Sequence, residues 1–226
     1  MNYDEVEKLA ERYYRYMFSL IPQVIKLMSV SKEKLKRQIV LENPETITSS
    51  EVKNRNVILT LGHYGNWEIL NVLPEFIDHK TYALYSKISD SVVDRIMMHT
   101  RTRFGVEMLE MSKAPRFILK NKDSSPAMYY FISDQSAPPS SKTYKFMNQD
   151  SYVYQGIDFF AKKLNAVVVY AEITPNGSNY KIKFTPIDHS EDITADYLKL
   201  LQTSIENAPE YWLWSHKRWK HITADR

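Results

Sequence analysis

The chain has 226 residues, enough for one domain carrying a helical extension. It has no cysteine, which excludes a disulfide framework, a Cys-ligated zinc site and a thiol nucleophile. Its 30 basic and 27 acidic side chains leave a net charge of +3, too mild to signal nucleic acid.

Residues 4–28 read as one long helix. Leu9, Tyr13, Tyr16, Met17, Leu20, Ile21, Val24 and Leu27 recur at helical spacing, and Pro22 is a candidate kink. Ser31 is an N-cap for a shorter helix. Asn43–Asn56 is polar and reads as a connection. From Val57 the pattern changes to alternating strands and helices. Strands are predicted at 57–61, 81–85, 106–109, Ala127–Ile132 and 166–173; helices are predicted at 67–77, 90–104, 113–121, 154–164 and 195–207. Residues 133–152 read as a long ordered loop, of the kind that is usually functional. Asn176-Gly177-Ser178 turns the strand at 166–173 into the alternating strand Tyr180, Ile182, Phe184, an antiparallel hairpin. The alternation predicts an α/β fold: a central, mostly parallel mixed sheet flanked by helices, with an N-terminal helical extension. The expected division is a helical, membrane-apposed region over 1–50 and a catalytic domain over 51–226.

No run approaches the length of a membrane span; the longest clean apolar stretches, such as Ala166–Ala171, have six residues. Residues 1–16 are acidic and polar, without the apolar core of a signal peptide. At face value the sequence reads as a soluble intracellular protein.

Two of only five glycines flank a histidine in Gly62-His63-Tyr64-Gly65-Asn66-Trp67-Glu68. The segment follows a buried strand and opens a helix, so it sits at a strand's C-terminal end, where open α/β sheets bind ligands. His63 and Glu68 are five residues apart, and the glycines permit a turn that brings them together. A carboxylate on one imidazole nitrogen fixes the tautomer and leaves the other as a general base. The Gly65-Asn66 backbone at the helix start is a candidate donor to an oxyanion. HExxH, GxSxG and P-loop motifs are absent.

This segment resembles the GHxGNWE signature of the bacterial lipid A biosynthesis (late lauroyl/myristoyl) acyltransferases, within the wider His-X4-Asp/Glu lysophospholipid acyltransferase superfamily. The resemblance continues in order. Arg101, Arg103 and Gly105 are similar to an arginine-containing segment of the family, and Asp134-Gln135 to its DQ motif. Residues 144–148 stand in place of its VPFxG segment. Pro209–Lys220 resembles its terminal PEQWxWxHRRxK. The departures are Asn148 for Gly, Gln155 for Thr, and Ser136-Ala137-Pro138-Pro139 in place of the glycines after DQ.

The resemblance implies a glycerol-3-phosphate-acyltransferase-like fold. It implies an acyl chain moved from acyl-carrier protein or acyl-CoA to a hydroxyl of a lipid A precursor, with no metal or cofactor. A different glycolipid or aminolipid acceptor, or a non-catalytic lipid-binding member, are the alternatives. His63 is expected to be the base, supported by Glu68. Arg101, Arg103, Asp134, Gln135 and Asn66 are expected to bind substrate, at least one arginine on a phosphate. From the residues alone the arginines are equally a solvated helix face. Asp134 is equally a turn residue, a holder of His63's neighbourhood or a ligand of a sugar hydroxyl. The tryptophans at 212, 214 and 219 beside Lys217, Arg218 and Lys220 suit either a membrane interface or a core-packing strand. The expected place is the cytoplasmic face of the bacterial inner membrane, peripheral in this chain; members of the family usually begin with a spanning helix. His79, His99, His189 and His221 make no metal-ligand spacing.

Overall fold

The computed structural model describes residues 2–188 and 191–222. Helix α1 runs over Tyr3–Leu27. A capping box opens it: the Asn2 side chain accepts from the Glu5 N–H while the Glu5 carboxylate takes the Asn2 N–H. Pro22 lies inside it and does not split it. Leu20 and Leu27 are buried on either side of the proline, and Gln23 is tied to Asn66 and Tyr180, so both halves are held. Ser31 caps the short α2 (Lys32–Lys36), as expected.

Residues 39–56 are more structured than their polarity suggests. Strand β1 (Ile39–Glu42) is followed by single-turn helices α3 (Glu45–Thr48) and α4 (Ser50–Lys53). Then come β2 (Val57–Leu61), a 3₁₀ helix (Trp67–Glu75), β3 (Lys80–Tyr85), α5 (Ser91–Thr102), β4 (Glu107–Glu110), α6 (Ala114–Lys120) and β5 (Ala127–Ile132). The expected loop at 133–152 holds a two-stranded ribbon, β6 (Lys142–Phe146) and β7 (Gln149–Val153). Its turn places Met147 and Asn148 at φ of 52° and 60°. That is the conformation a two-residue hairpin requires, and asparagine is among the few side chains that accept it. Helix α7 (Gly156–Leu164), β8 (Val167–Asn176), β9 (Asn179–Ile187) and α8 (Ile193–Asn207) complete the order.

Seven strands form one sheet in the order β1-β9-β8-β2-β5-β3-β4. Every neighbouring pair is parallel except the β8–β9 hairpin. β1 therefore draws the N-terminal region into the same sheet as the rest of the chain. Side chains alternate between two cores. Ile58, Tyr129, Phe131, Val168 and Tyr170 face one, with α6, α7 and α8 over them. Leu59, Met128, Tyr130, Val169 and Ala171 face the other, beneath the 3₁₀ helix, α2 and the end of α1. This two-sided burial explains why the strands read as continuous apolar runs.

β2 and β5 are adjacent and parallel, with Leu61 opposite Ile132. His63 lies two residues beyond Leu61, and Asp134 two beyond Ile132. The register alone therefore delivers these two residues to the same place at the sheet's C-terminal edge.

Candidate active site

The imidazole of His63 is held by Asp134. Its Nδ1 lies 2.6 Å from Oδ1, and the His63 backbone N–H donates to Oδ2 at 2.8 Å. The Trp212 indole N–H also donates to Oδ2, at 2.9 Å. Asp134 is buried. Burial pushes its carboxyl up, but the His63 charge, the imidazole and indole hydrogen bonds and the backbone N–H outweigh this and hold it at about 2. An ionised Asp134 accepts only, so in the neutral imidazole the proton sits on Nδ1 and the lone pair on Nε2. The Gln135 amide nitrogen stands 3.4 Å from that Nε2. Trp67 meets the imidazole edge-to-face at 5.0 Å.

The turn that carries His63 has no room for substitution. Gly65 has φ of +65°, and a Cβ there would lie 1.9 Å from the Ile173 carbonyl oxygen. Its N–H donates to the Tyr211 carbonyl, and Leu213 N–H donates to the His63 carbonyl. Together with a Tyr64–Trp212 bridge, these bonds attach the turn to the segment after α8.

Glu68 does not reach the imidazole in the expected way. Among the described residues the imidazole's hydrogen-bond partners are Asp134 and Gln135. The buried Glu68 carboxylate instead takes the Nε and Nη2 edge of Arg101 at 2.5–3.2 Å, and the Asn71 amide at 3.0 Å. Burial lowers the Arg101 guanidinium pKa, but the Glu68 hydrogen bonds and charge more than offset this, and the guanidinium is held above its ordinary value. Glu68 stands in the first turn of the 3₁₀ helix and Arg101 on α5, so the ion pair ties these two elements together.

His63, Glu68, Arg101 and Gln135 gather at a cavity of about 210 Å³. Its remaining wall is largely apolar, with Leu61, Leu70, Ala83, Met108, Tyr130 and Ile132 among the lining.

Two expected ligands face elsewhere. The Asn66 side chain is buried and donates to Gln23 of α1, and the Gly65 N–H donates to the Tyr211 carbonyl. Arg103 donates to the carbonyls of Leu27 and Val30, closing the C-terminal end of α1. Trp212 and Arg218 are buried, while Lys217 and Lys220 are exposed, so the aromatic-basic cluster is mostly core. His189 lies outside the described residues. Trp212 as a partner of Asp134 was not visible in the sequence. Asp134 near His63 was one of the three readings open for that residue in the sequence.

A carboxylate–imidazole pair at the C-terminal edge of a parallel sheet, beside a cavity lined by charged and apolar side chains, has the groups of an enzyme site. The chain belongs to the bacterial lipid A biosynthesis acyltransferase family, whose model matches residues 1–221, and it is accordingly a transferase. It is 20% identical over 218 residues to a lipid A biosynthesis acyltransferase of Haemophilus influenzae, covering 92% of this chain and 69% of that protein.

Proposed function

We propose that this protein transfers a fatty acyl group from an acyl thioester, carried by acyl-carrier protein or coenzyme A, to a hydroxyl of a lipid A precursor. The observation that carries the reading is the 2.6 Å contact between His63 Nδ1 and a buried, ionised Asp134 beside the cavity. A sugar hydroxyl is a poor nucleophile at its own pKa and needs a base within hydrogen-bond reach. Nε2 of His63 is that base, with the acceptor hydroxyl taking the place now faced by the Gln135 amide. As the hydroxyl oxygen attacks the thioester carbonyl, its proton passes to Nε2 and the thiolate leaves. Asp134 stabilises the imidazolium that forms, and the proton is then available to the departing sulfur. No acyl-enzyme is needed.

Glu68 enters this reading through Arg101. By fixing the Nε and Nη2 edge, it leaves Nη1 outside the pair, available to a phosphate of the acceptor or of the donor's pantetheine arm. The apolar wall is the place for the acyl chain.

The acceptor is a membrane lipid, since each buried CH₂ is worth about 0.8 kcal/mol and several chains make extraction prohibitive. No helix among the described residues is long and apolar enough to cross a membrane. Helix α1 offers another contact. Tyr14, Phe18, Ile21 and Ile25 are each more than half exposed and follow one another at four, three and four residues, a stripe along one face. The proposed location is the cytoplasmic face of the inner membrane.

The test is acyl transfer by purified protein, followed by free-thiol release and by the mass of the acylated lipid. His63→Ala is expected to lower turnover by about 10²–10⁴-fold. Near-wild-type turnover in that variant would end the proposal.

A further inference from the structure

Three consecutive residues after β5 are each gripped by a side chain from one stretch after α8. Asp134 takes the Trp212 indole N–H at 2.9 Å. The Gln135 carbonyl takes Arg218 Nη1–H. The Ser136 N–H donates to His216 Nε2 at 3.1 Å. The gripping segment is itself fixed: Leu213 N–H donates to the His63 carbonyl and Ser215 N–H to the Tyr13 hydroxyl, each at 3.0 Å.

Arg218 makes this more than packing. Its guanidinium is buried, lies 5.4 Å from the Phe146 ring, and leaves Nε and Nη2 without a hydrogen-bond partner among the described residues. A buried cation with unpartnered N–H groups is unfavourable, and an apolar side chain of similar volume would serve stability as well or better. Arg218 is placed to act on Gln135 and on the nearby charge of Asp134. Gln135 and Asp134 are the two residues that address the two imidazole nitrogens of His63.

We propose that Trp212, His216 and Arg218 are positioning residues of the acyl-transfer reaction, holding residues 134–136 so that the Asp134 carboxylate and the Gln135 amide meet His63 in register. Trp212 and the His63 backbone N–H together occupy Oδ2, which leaves Oδ1 for the imidazole. Arg218 and His216 hold the two polar groups of one peptide unit, the Gln135 C=O and the Ser136 N–H, and with it the origin of the Gln135 side chain. A displacement of about 1 Å at this distance from the reacting atoms is worth about 10²-fold in rate. The inference rests on His63 being the base of the proposed reaction.

The experiment follows two readouts, turnover and the downfield proton resonance of His63 Nδ1–H in the protein without substrate. The resonance is assigned by its loss in His63→Ala. Arg218→Met keeps an apolar stem and removes the charge. It is expected to melt no lower than wild type, to lose ten- to a hundredfold in kcat with little change in KM, and to shift the resonance. Trp212→Phe keeps the ring and removes the N–H, with the same expected pattern. His216→Ala should behave likewise, while His216→Gln restores an acceptor for the Ser136 N–H and should recover most of the rate. Lys217→Ala, exposed in the same segment, should match wild type throughout.

Folded Arg218→Met and Trp212→Phe with unchanged kcat, or with an unmoved resonance, would overturn the proposal. So would a His216→Gln no better than His216→Ala. The resonance is independent of turnover. If His63→Ala retains activity, the proposed function fails, while the resonance still decides whether this segment sets the geometry around His63.

Discussion

Asp134→Asn separates the observed carboxylate–imidazole pair from the one that sequence spacing suggests. The wild-type carboxylate accepts from three donors: the imidazole on Oδ1, and the His63 N–H and Trp212 indole on Oδ2. A carboxamide has one accepting oxygen. Placed at Oδ2, it keeps two of the donors and turns its NH₂ toward Nδ1. The imidazole must then move its proton to Nε2, which removes the lone pair the reaction needs. The expected loss in kcat is about 10⁴-fold, the size that a wrong tautomer produces in a comparable triad. Stability should change far less. A carboxyl held at about 2 rather than 3.8 is worth about 2 kcal/mol at neutral pH, hence about 4–8 °C in Tm for a chain of this length. The sign is that of a depressed carboxyl. Its contribution is full above the unfolded value and disappears as pH falls through 3.8 toward 2. Urea unfolding of wild type and Asp134→Asn should therefore differ at pH 7 and converge toward pH 2. Thiol release from the acyl donor reports the rate, with Glu68→Gln in parallel. If Asp134→Asn stays within tenfold of wild type while Glu68→Gln abolishes transfer, the assignment of Asp134 is wrong.

Arg101 and Arg103 should part company. Arg101→Ala should raise KM for the anionic substrate, and Arg101→Lys should rescue only part of it because the fork is lost. Arg103→Ala should lower Tm by releasing the end of α1 while leaving KM within about twofold, since hydrogen bonds to a charged donor are worth about 1.5–3 kcal/mol. Gly65→Ala should fail to accumulate as folded protein, because its Cβ meets the Ile173 carbonyl at 1.9 Å; a wild-type melting curve would refute this. Replacing Phe18, Ile21 and Ile25 together by Ser should lower co-sedimentation with anionic liposomes without changing circular dichroism. Unchanged co-sedimentation would remove α1 as the contact.

Much of the fold was legible because burial on both faces of a parallel sheet writes unbroken apolar runs, as in Val57–Leu61 and Ala127–Ile132. β1 was not, since four residues are too few to show a period and its partner β9 lies about 140 positions away. The ribbon at 142–153 was hidden by its polar strands, which expose Lys142, Lys145 and Asp150. Within the site, His63 and the tight turn were readable from glycine spacing. Spacing points to the near neighbour Glu68, whereas the carboxylate that meets the imidazole, Asp134, 71 residues away, arrives through strand register. Asn66 and Arg103 carry polar groups that satisfy α1, a helix whose docking no local pattern announces.

The site joins positions made at very different times. Asp134 follows His63 by 71 residues, and Trp212 follows Asp134 by 78. At a synthesis rate of about 5–20 residues per second, roughly 4–16 s pass between Asp134 and Trp212. During that interval β2 and β5 can already lie side by side on the ribosome, yet Oδ2 of Asp134 has no indole and the His63 turn has no strand to lean on. A nascent chain would thus hold His63 and Asp134 for several seconds before Trp212 and the segment after α8 fix them in place.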